Sequence, residues 1–291
     1  MHLSKGVRYM LLATFLFACM NALVKFVPDI PAVEIVFFRS AVSLVMSYLV
    51  LKSQKAYIWG NNRKLLIARG LTGAVALVLY FMLLQQIPLA TAITLQFLSP
   101  IFTAILGVAL LHERVRSWQW IFFALSFGGM LVINGFDARI STVHLLMGIV
   151  AAVGSGAAYT IIRKLNYSEH PLVIVLYFPL VTLPLTGVYS AFHWVMPSGW
   201  DWAFLLGVGI LTQFAQYFMT KAYQAEEVSK VANLNYLSII YALSFGFIFF
   251  GETFNFMTYV GMGLVIVGVI LNVWYRQRIT PTKEKPQPVR T

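Results

Sequence analysis

Ala90 to Glu113, ATAITLQFLSPIFTAILGVALLHE, returns later in the chain as Ser229 to Glu252, SKVANLNYLSIIYALSFGFIFFGE. The two align without a gap at a fixed offset of 139 residues. Leu95 falls on Leu234, Leu98 on Leu237, Ser99 on Ser238, Ile101 on Ile240, Gly107 on Gly246 and Glu113 on Glu252. Near-matches extend the alignment, with Gln96 on Asn235, Phe97 on Tyr236 and Phe102 on Tyr241. A period close to half of the 291 residues points to an internal duplication.

Outward from this repeat, the composition names the solvent. With 59% hydrophobic and 11% charged residues and a mean hydropathy of +0.78, the chain has too little polar surface for a soluble globule of its size. Most of its charge-free runs have about the 20 residues that a spanning helix needs. The run from 70 to 111 is twice as long and must hold two helices. Its natural break is QQIP, Gln85 to Pro88, because proline cannot donate a helical hydrogen bond. Val33 to Leu51 also reads as a span, with Glu34 and Arg39 near one end.

The fold class predicted is an all-α integral membrane protein of ten transmembrane helices. Their approximate spans are 7–27, 33–52, 66–85, 89–111, 117–135, 144–163, 171–194, 202–222, 231–250 and 256–275. The first is read as an uncleaved helix despite its signal-like end LFAC, since nine more apolar spans follow. Cys19 is the single cysteine, so an internal disulfide and a cysteine-based metal site are excluded.

With the N-terminus in the cytoplasm, every Lys and Arg except Lys25, Arg39 and Arg139 falls on the cytoplasmic side. The positive-inside rule therefore predicts both termini in the cytoplasm, and a bacterial inner membrane is the expected location. It also accounts for the net charge of +11 without nucleic acid as a partner. The Pro-rich, charged tail 279–291 is expected to be disordered.

Five helices per half is an odd number, so the halves, 1–139 and 140–278, are expected to insert upside down relative to each other. Inverted repeats of this kind are usual in secondary transporters, which alternate access around a site at the membrane midplane.

Leu89 to Ile133 and its weaker partner Gly251 to Leu271, with FFRSAVS (Phe37 to Ser43) and RGLTGAVALVLYFMLLQQIPLA (Arg69 to Ala90), resemble the EamA domain of the drug/metabolite transporter superfamily. The resemblance covers nearly the whole chain. It implies ten helices around a central cavity with a site near mid-membrane, and it is a poor guide to substrate. Proteins of this kind export or import amino acids, metabolites, vitamins, nucleotide sugars and drugs. Ile239 stands where the first copy has Pro100, so a proline-induced irregularity is expected in the fourth helix only.

Helical spacing picks the candidate substrate-binding residues. Thr14, Ala18, Asn21 and Lys25 form one stripe on the first helix. Asn21 is its mid-membrane member, and Lys25 either neutralises an anionic group of a substrate, or lies near the outer end and snorkels to headgroups or pairs with Glu34. Gln213, Gln216, Tyr217 and Thr220 form the clearest polar face of the chain, on the eighth helix. Their repeat mates are Ala74, Leu77, Val78 and Phe81, which makes the expected cavity chemically uneven.

The fourth and ninth helices offer Thr94, Gln96 and Ser99, and Asn233, Asn235, Tyr236 and Ser238. Tyr80, Tyr159 and Tyr177 are aromatic walls with a hydroxyl. Glu113 and Glu252 read as helix-junction carboxylates that complement a helix dipole rather than as proton carriers. Arg39 is expected to bind carbonyls or Glu34. The glycine pairs 128/129, 154/156, 207/209 and 261/263 read as close helix contacts or gates.

The function expected is secondary active transport, in the export direction, of a small organic solute such as an amino acid, metabolite or drug-like compound. The lipid bilayer and a small-molecule substrate are its partners, with proton or ion coupling open and a monomer or weak homodimer expected. No cofactor, metal or catalytic residue is called for. An intramembrane enzyme would need paired carboxylates or a Ser/His pair at membrane depth, which the spacing does not offer. A channel would need a filter loop or a ring of charge. A GxxxxGK[ST] loop for direct ATP drive is also missing.

Overall fold

A computed structural model describes residues 4–53, 58–111, 117–165, 168–225 and 233–279. Among these the chain is all helix. In order come α1 (Lys5–Lys25), α2 (Ala32–Ser53), α3 (Arg63–Gln86), α4 (Leu89–Gln96), α5 (Ser99–Leu111) and α6 (Ser117–Phe136). Then follow α7 (Thr142–Leu165), α8 (Pro171–Phe192), α9 (Asp201–Ala225), a 3-10 turn (Asn233–Tyr236), α10 (Leu237–Phe250) and α11 (Phe256–Ile279). Eight stretches are long and apolar enough to cross a membrane, α4 and α5 counting together as Leu89–Leu110. Leu237–Phe250 and Phe256–Asn272 are shorter apolar helices. The predicted tail lies outside the described residues apart from Ile279.

Local chemistry sets the ends. Ser4 and Asn62 cap α1 and α3 by accepting from the amides of Val7 and Leu65. Pro88 cannot cap α4 with a side chain, and a distant group does so instead, as described below. Between α4 and α5 the helix breaks at Phe97 and Leu98. There the Phe97 and Leu98 amides turn to the i−3 carbonyls of Thr94 and Leu95, each at 3.1 Å. Pro100, lacking an N–H, leaves the Gln96 carbonyl without its helical donor.

The proline-linked break is in the first copy, as expected, and the second copy has an irregularity of another origin. The second copy also tightens, into the 3-10 turn that ends at Tyr236, the repeat mate of Phe97. Here the Ser238 hydroxyl donates to the Asn235 carbonyl at 2.7 Å. A side-chain donor thus engages a backbone acceptor and competes with the regular ladder where no proline is available.

The contacts follow the repeat. The 139-residue shift carries α1 onto α7, α2 onto α8, α3 onto α9 and α6 onto α11. The pairing of α1 with α9 has its image in α3 with α7, and that of α2 with α9 in α3 with α8. The pairings α2 with α8 and α6 with α11 are their own images. Along α6 and α11, Gln119 meets Asn272, Gly268 meets Phe122, Ser126 meets Val265, and Gly129 meets Gly261. Residue numbers rise on one helix as they fall on the other, so these two repeat mates run antiparallel. On α2 and α8, Glu34 accepts from the Val195 amide beyond one end, while Leu51 clusters with Val173 near the other. They too run antiparallel.

Apolar side chains are no better off against one another than against lipid, so close packing must carry helix association. At Gly129 an added Cβ would lie 2.6 Å from the Gly261 carbonyl oxygen and 2.8 Å from the Val265 amide, both backbone atoms. Gly156 sits equally close to the Phe102–Thr103 backbone and Gly209 to Val42. Their neighbours Gly128 and Gly263 touch nothing within 4 Å, so each of those two pairs has one contact glycine and one free of contact. The main core is built around Phe81, Leu83, Leu84, Ile87, Leu89, Leu95 and Leu98, all nearly fully buried.

Candidate functional site

Three predicted site residues, Asn21, Tyr80 and the half-exposed Tyr159, come together with two unpredicted arginines. Asn21 on α1 is buried and hydrogen-bonded to the Tyr80 hydroxyl on α3. Tyr80 in turn shares its electrostatic surroundings with Tyr159 on α7, and Tyr159 with Arg39 on α2 and Arg69 on α3. Arg39 Nε donates to Thr212 Oγ1 on α9 at 3.2 Å. The Arg39 and Arg69 guanidinium carbons lie 5.4 and 4.7 Å from the centre of the same ring, Phe178 on α8. Arg39 also lies 6.0 Å from the centre of Phe81.

Six helices from both halves therefore converge on one polar cluster. Gln96 joins its edge, donating to Ser155 Oγ at 2.8 Å, one turn from Tyr159 on α7. Among the described residues, Arg69 Nε and Nη1, Asn21 Oδ1 and Gln96 Oε1 are buried without a hydrogen-bond partner.

The repeat explains how the cluster is framed. Arg39 and Phe178 are repeat mates in direct contact. Thr212, which supports Arg39, is the mate of Gly73, against which the Phe178 ring packs. One position thus carries a cation in the first half and an aromatic face in the second. The cluster is therefore chemically different on its two sides.

The other candidates lie elsewhere. Lys25 Nζ is 2.6 Å from Glu252 Oε1 and 2.7 Å from the Ile87 carbonyl, so its partner is Glu252 rather than Glu34. Glu252 Oε2 accepts from the Leu89 amide at 2.8 Å, which caps α4. The expected helix-dipole role holds for Glu252, but the helix capped belongs to the other half of the chain rather than being the next one along. Glu113 lies outside the described residues. Gly246 leaves the space in which the Glu252 carboxylate rests.

Gln213 donates to Ser47 Oγ at 3.3 Å, a contact between α9 and α2. Tyr217 is half exposed beside Lys221 and Phe218. Gln216 and Asn235 are both engaged with partners. The side chains of Thr220, Asn233 and Tyr236 lie outside those described. Thr14 and Thr94 bond back to their own helices, and Tyr177 donates to the Trp59 carbonyl at 2.7 Å. An apolar groove of about 430 Å³ between α3 and α8, lined by Ile67, Leu71, Leu180 and Leu185 among others, does not include the cluster.

The third span expected from 66 leaves Arg69 among the cytoplasmic basic residues. The helix starts at Arg63, which draws Arg69 about two turns into the bundle. The signal for Arg39 and its surroundings was the offset itself, which superposes Arg39 on Phe178 and Thr212 on Gly73.

The EamA-like transporter family matches residues 4–135 and again 142–274, a repeat of the same unit over nearly the whole chain. The chain belongs to this family. The pseudopaline exporter CntI of Pseudomonas aeruginosa is 34% identical over 275 residues, spanning 92% of this chain and 95% of the relative. Human solute carrier family 35 member G1 is 31% identical and spans 93% and 80%. A crystal structure of a protein at 17% identity superposes with a TM-score of 0.60 over 94% of this chain and 99% of that one, a likeness of fold. As an EamA-like protein the chain is a multi-pass membrane transporter of the drug/metabolite transporter superfamily, and not an enzyme.

Proposed function

We propose that the chain is a secondary transporter that exports a small organic solute by alternating access. In this reading ten spans form two inverted repeats, 1–139 and 140–278, in a bacterial inner membrane with both termini in the cytoplasm. The observation that carries the proposal is the polar cluster at the contact of Arg39 with its own repeat mate, Phe178. Residues in contact with their repeat mates lie beside the axis that relates the two halves. A solute bound there can face either side when one half rocks against the other. The antiparallel course of α6 with α11 and of α2 with α8 supports inversion, since repeat mates of inverted halves must oppose. The likeness to a pseudopaline exporter supports the direction.

Lys25 and Glu252 then close the outer end, tying α1 to the start of α4. Their repeat mates, Lys164 and Glu113, keep both charges, so the same closure can form at the inner end in the opposite state. Counterflow in proteoliposomes tests the proposal. Saturable exchange of at least one solute from a panel of amino acids, vitamins, nucleosides and cationic drugs is the expected outcome, with Asn21→Ala and Tyr80→Phe altering apparent affinity more than expression. A panel without saturable exchange would overturn it.

A further inference from the structure

The two arginines of the cluster carry more positive charge than the protein around them answers. The ion pairs among the described residues are Lys25 with Glu252 and Arg139 with Asp137, and neither involves Arg39 or Arg69. Both guanidinium groups reach the same Phe178 ring, and they repel each other. Cation–π contact offsets part of the loss of water. It leaves Nε and Nη1 of Arg69 buried with no acceptor among the described residues. Unpaired charge at this depth is costly, and it persists where a ligand or a pathway uses it.

The remaining open groups have the opposite character. Asn21 Oδ1 and Gln96 Oε1 are buried acceptors without donors. A solute that satisfies the whole set brings an anion to one side and an N–H or O–H group to the other.

We propose that Arg39 and Arg69 form the anion subsite of the transport site, and that the solute is an organic carboxylate carrying amino or hydroxyl donors. Nε and Nη1 of Arg69 point to different edges of the guanidinium plane, so the carboxylate is taken by a charge-assisted bond to one of them, and the second charge of Arg39 adds to the attraction. Tyr159 and Tyr80 flank the solute, and its donors meet Asn21 and Gln96. This inference rests on the transporter reading and narrows its substrate class.

Binding can be tested apart from transport. The full-length protein in detergent is titrated with glutamate, malate and citrate, with inorganic phosphate, glucose and choline as comparisons, and its thermal stability is followed. At least one of the carboxylates should stabilise the wild type saturably, and more strongly than inorganic phosphate does. Arg69→Gln and Arg39→Gln should weaken that binding by about 10- to 100-fold, the range for losing hydrogen bonds to a charged group. Arg69→Lys should recover only part of it, because an ammonium keeps the charge and loses the fixed, planar set of donors.

Arg69→Gln should also melt no lower than the wild type without solute, because relief of a buried unpaired charge outweighs loss of the cation–π contact with Phe178. A residue with a merely structural role would destabilise the fold on substitution. Carboxylate binding that is absent, or unchanged in both glutamine variants, overturns the inference. So does counterflow confined to neutral or cationic solutes, an outcome that leaves the transporter reading standing.

Discussion

At Gly129 the chain tolerates no side chain, because backbone atoms of α11 occupy the space that a Cβ would need. Gly128, one position away, borders nothing within 4 Å. Gly129→Leu is therefore expected to force α6 and α11 apart and cost about 1–3 kcal/mol or more, the range for overpacking. Gly128→Leu should stay near the wild type. Thermal melts of the two variants in detergent decide between them, and equal effects would refute the close crossing. The pairing of Phe178 with Gly73 and Arg39 with Thr212 shows the same principle in the polar cluster. The smaller residue on α3 admits a ring, and the hydroxyl on α9 gives the guanidinium an acceptor. From sequence, the polar face of the eighth helix drew attention to Gln213, whereas the group that contacts Arg39 is Thr212, one position earlier. A polar stripe says which residues can bond, and helix rotation in the bundle says to what.

Elements in this chain are held at their ends by groups from far along the sequence. Glu252, at the end of α10, caps α4 and is itself paired with Lys25 from α1. Glu169, before α8, accepts from the Asn61 and Asn62 amides at the start of α3. Removing one partner of a mostly buried ion pair leaves the other charge unanswered. Lys25→Met or Glu252→Gln alone is expected to destabilise the protein by about 3 kcal/mol. The double variant should recover much of that loss, as measured by a double-mutant cycle on unfolding in denaturant. If the two losses add, the pair is not coupled. The break between α4 and α5 was legible from Pro100, because proline acts through its own covalent structure. Its counterpart before α10 was not, because there a serine hydroxyl competes for a carbonyl, and serine does so only in some settings.

For the molecule as a whole, the inverted arrangement makes its own demands. Reporter domains inserted after Arg116 and after Gly251 should report opposite sides of the membrane, cytoplasm and exterior respectively. Both on one side would remove the basis for alternating access. If Lys25 with Glu252 closes the outer end, and Lys164 with Glu113 the inner, then breaking each should open opposite faces. Glu252→Gln should raise the reactivity of a cysteine placed at Asn21 or Tyr80, in a Cys19→Ser background, toward an impermeant thiol reagent added outside. Glu113→Gln should lower that reactivity. Equal labelling in the two variants would refute the exchange of closures.

By itself the sequence determined the membrane class, the repeat and its period, and the family, since these follow from composition, from identity at a fixed spacing and from motifs along one chain. It also placed Asn21, Tyr80 and Tyr159 among the candidates that the bundle brings together, because uncharged polar groups on apolar helices are few enough to stand out. Only the tertiary structure decided that Lys25 belongs to Glu252, that Glu252 caps a helix of the other half, and that Arg69 lies inside the bundle beside Arg39. Each of these depends on where a helix begins, how it is rotated and which distant helix crosses it. Such quantities are set by backbone packing at glycines and by burial of charge, which spacing along one helix does not encode.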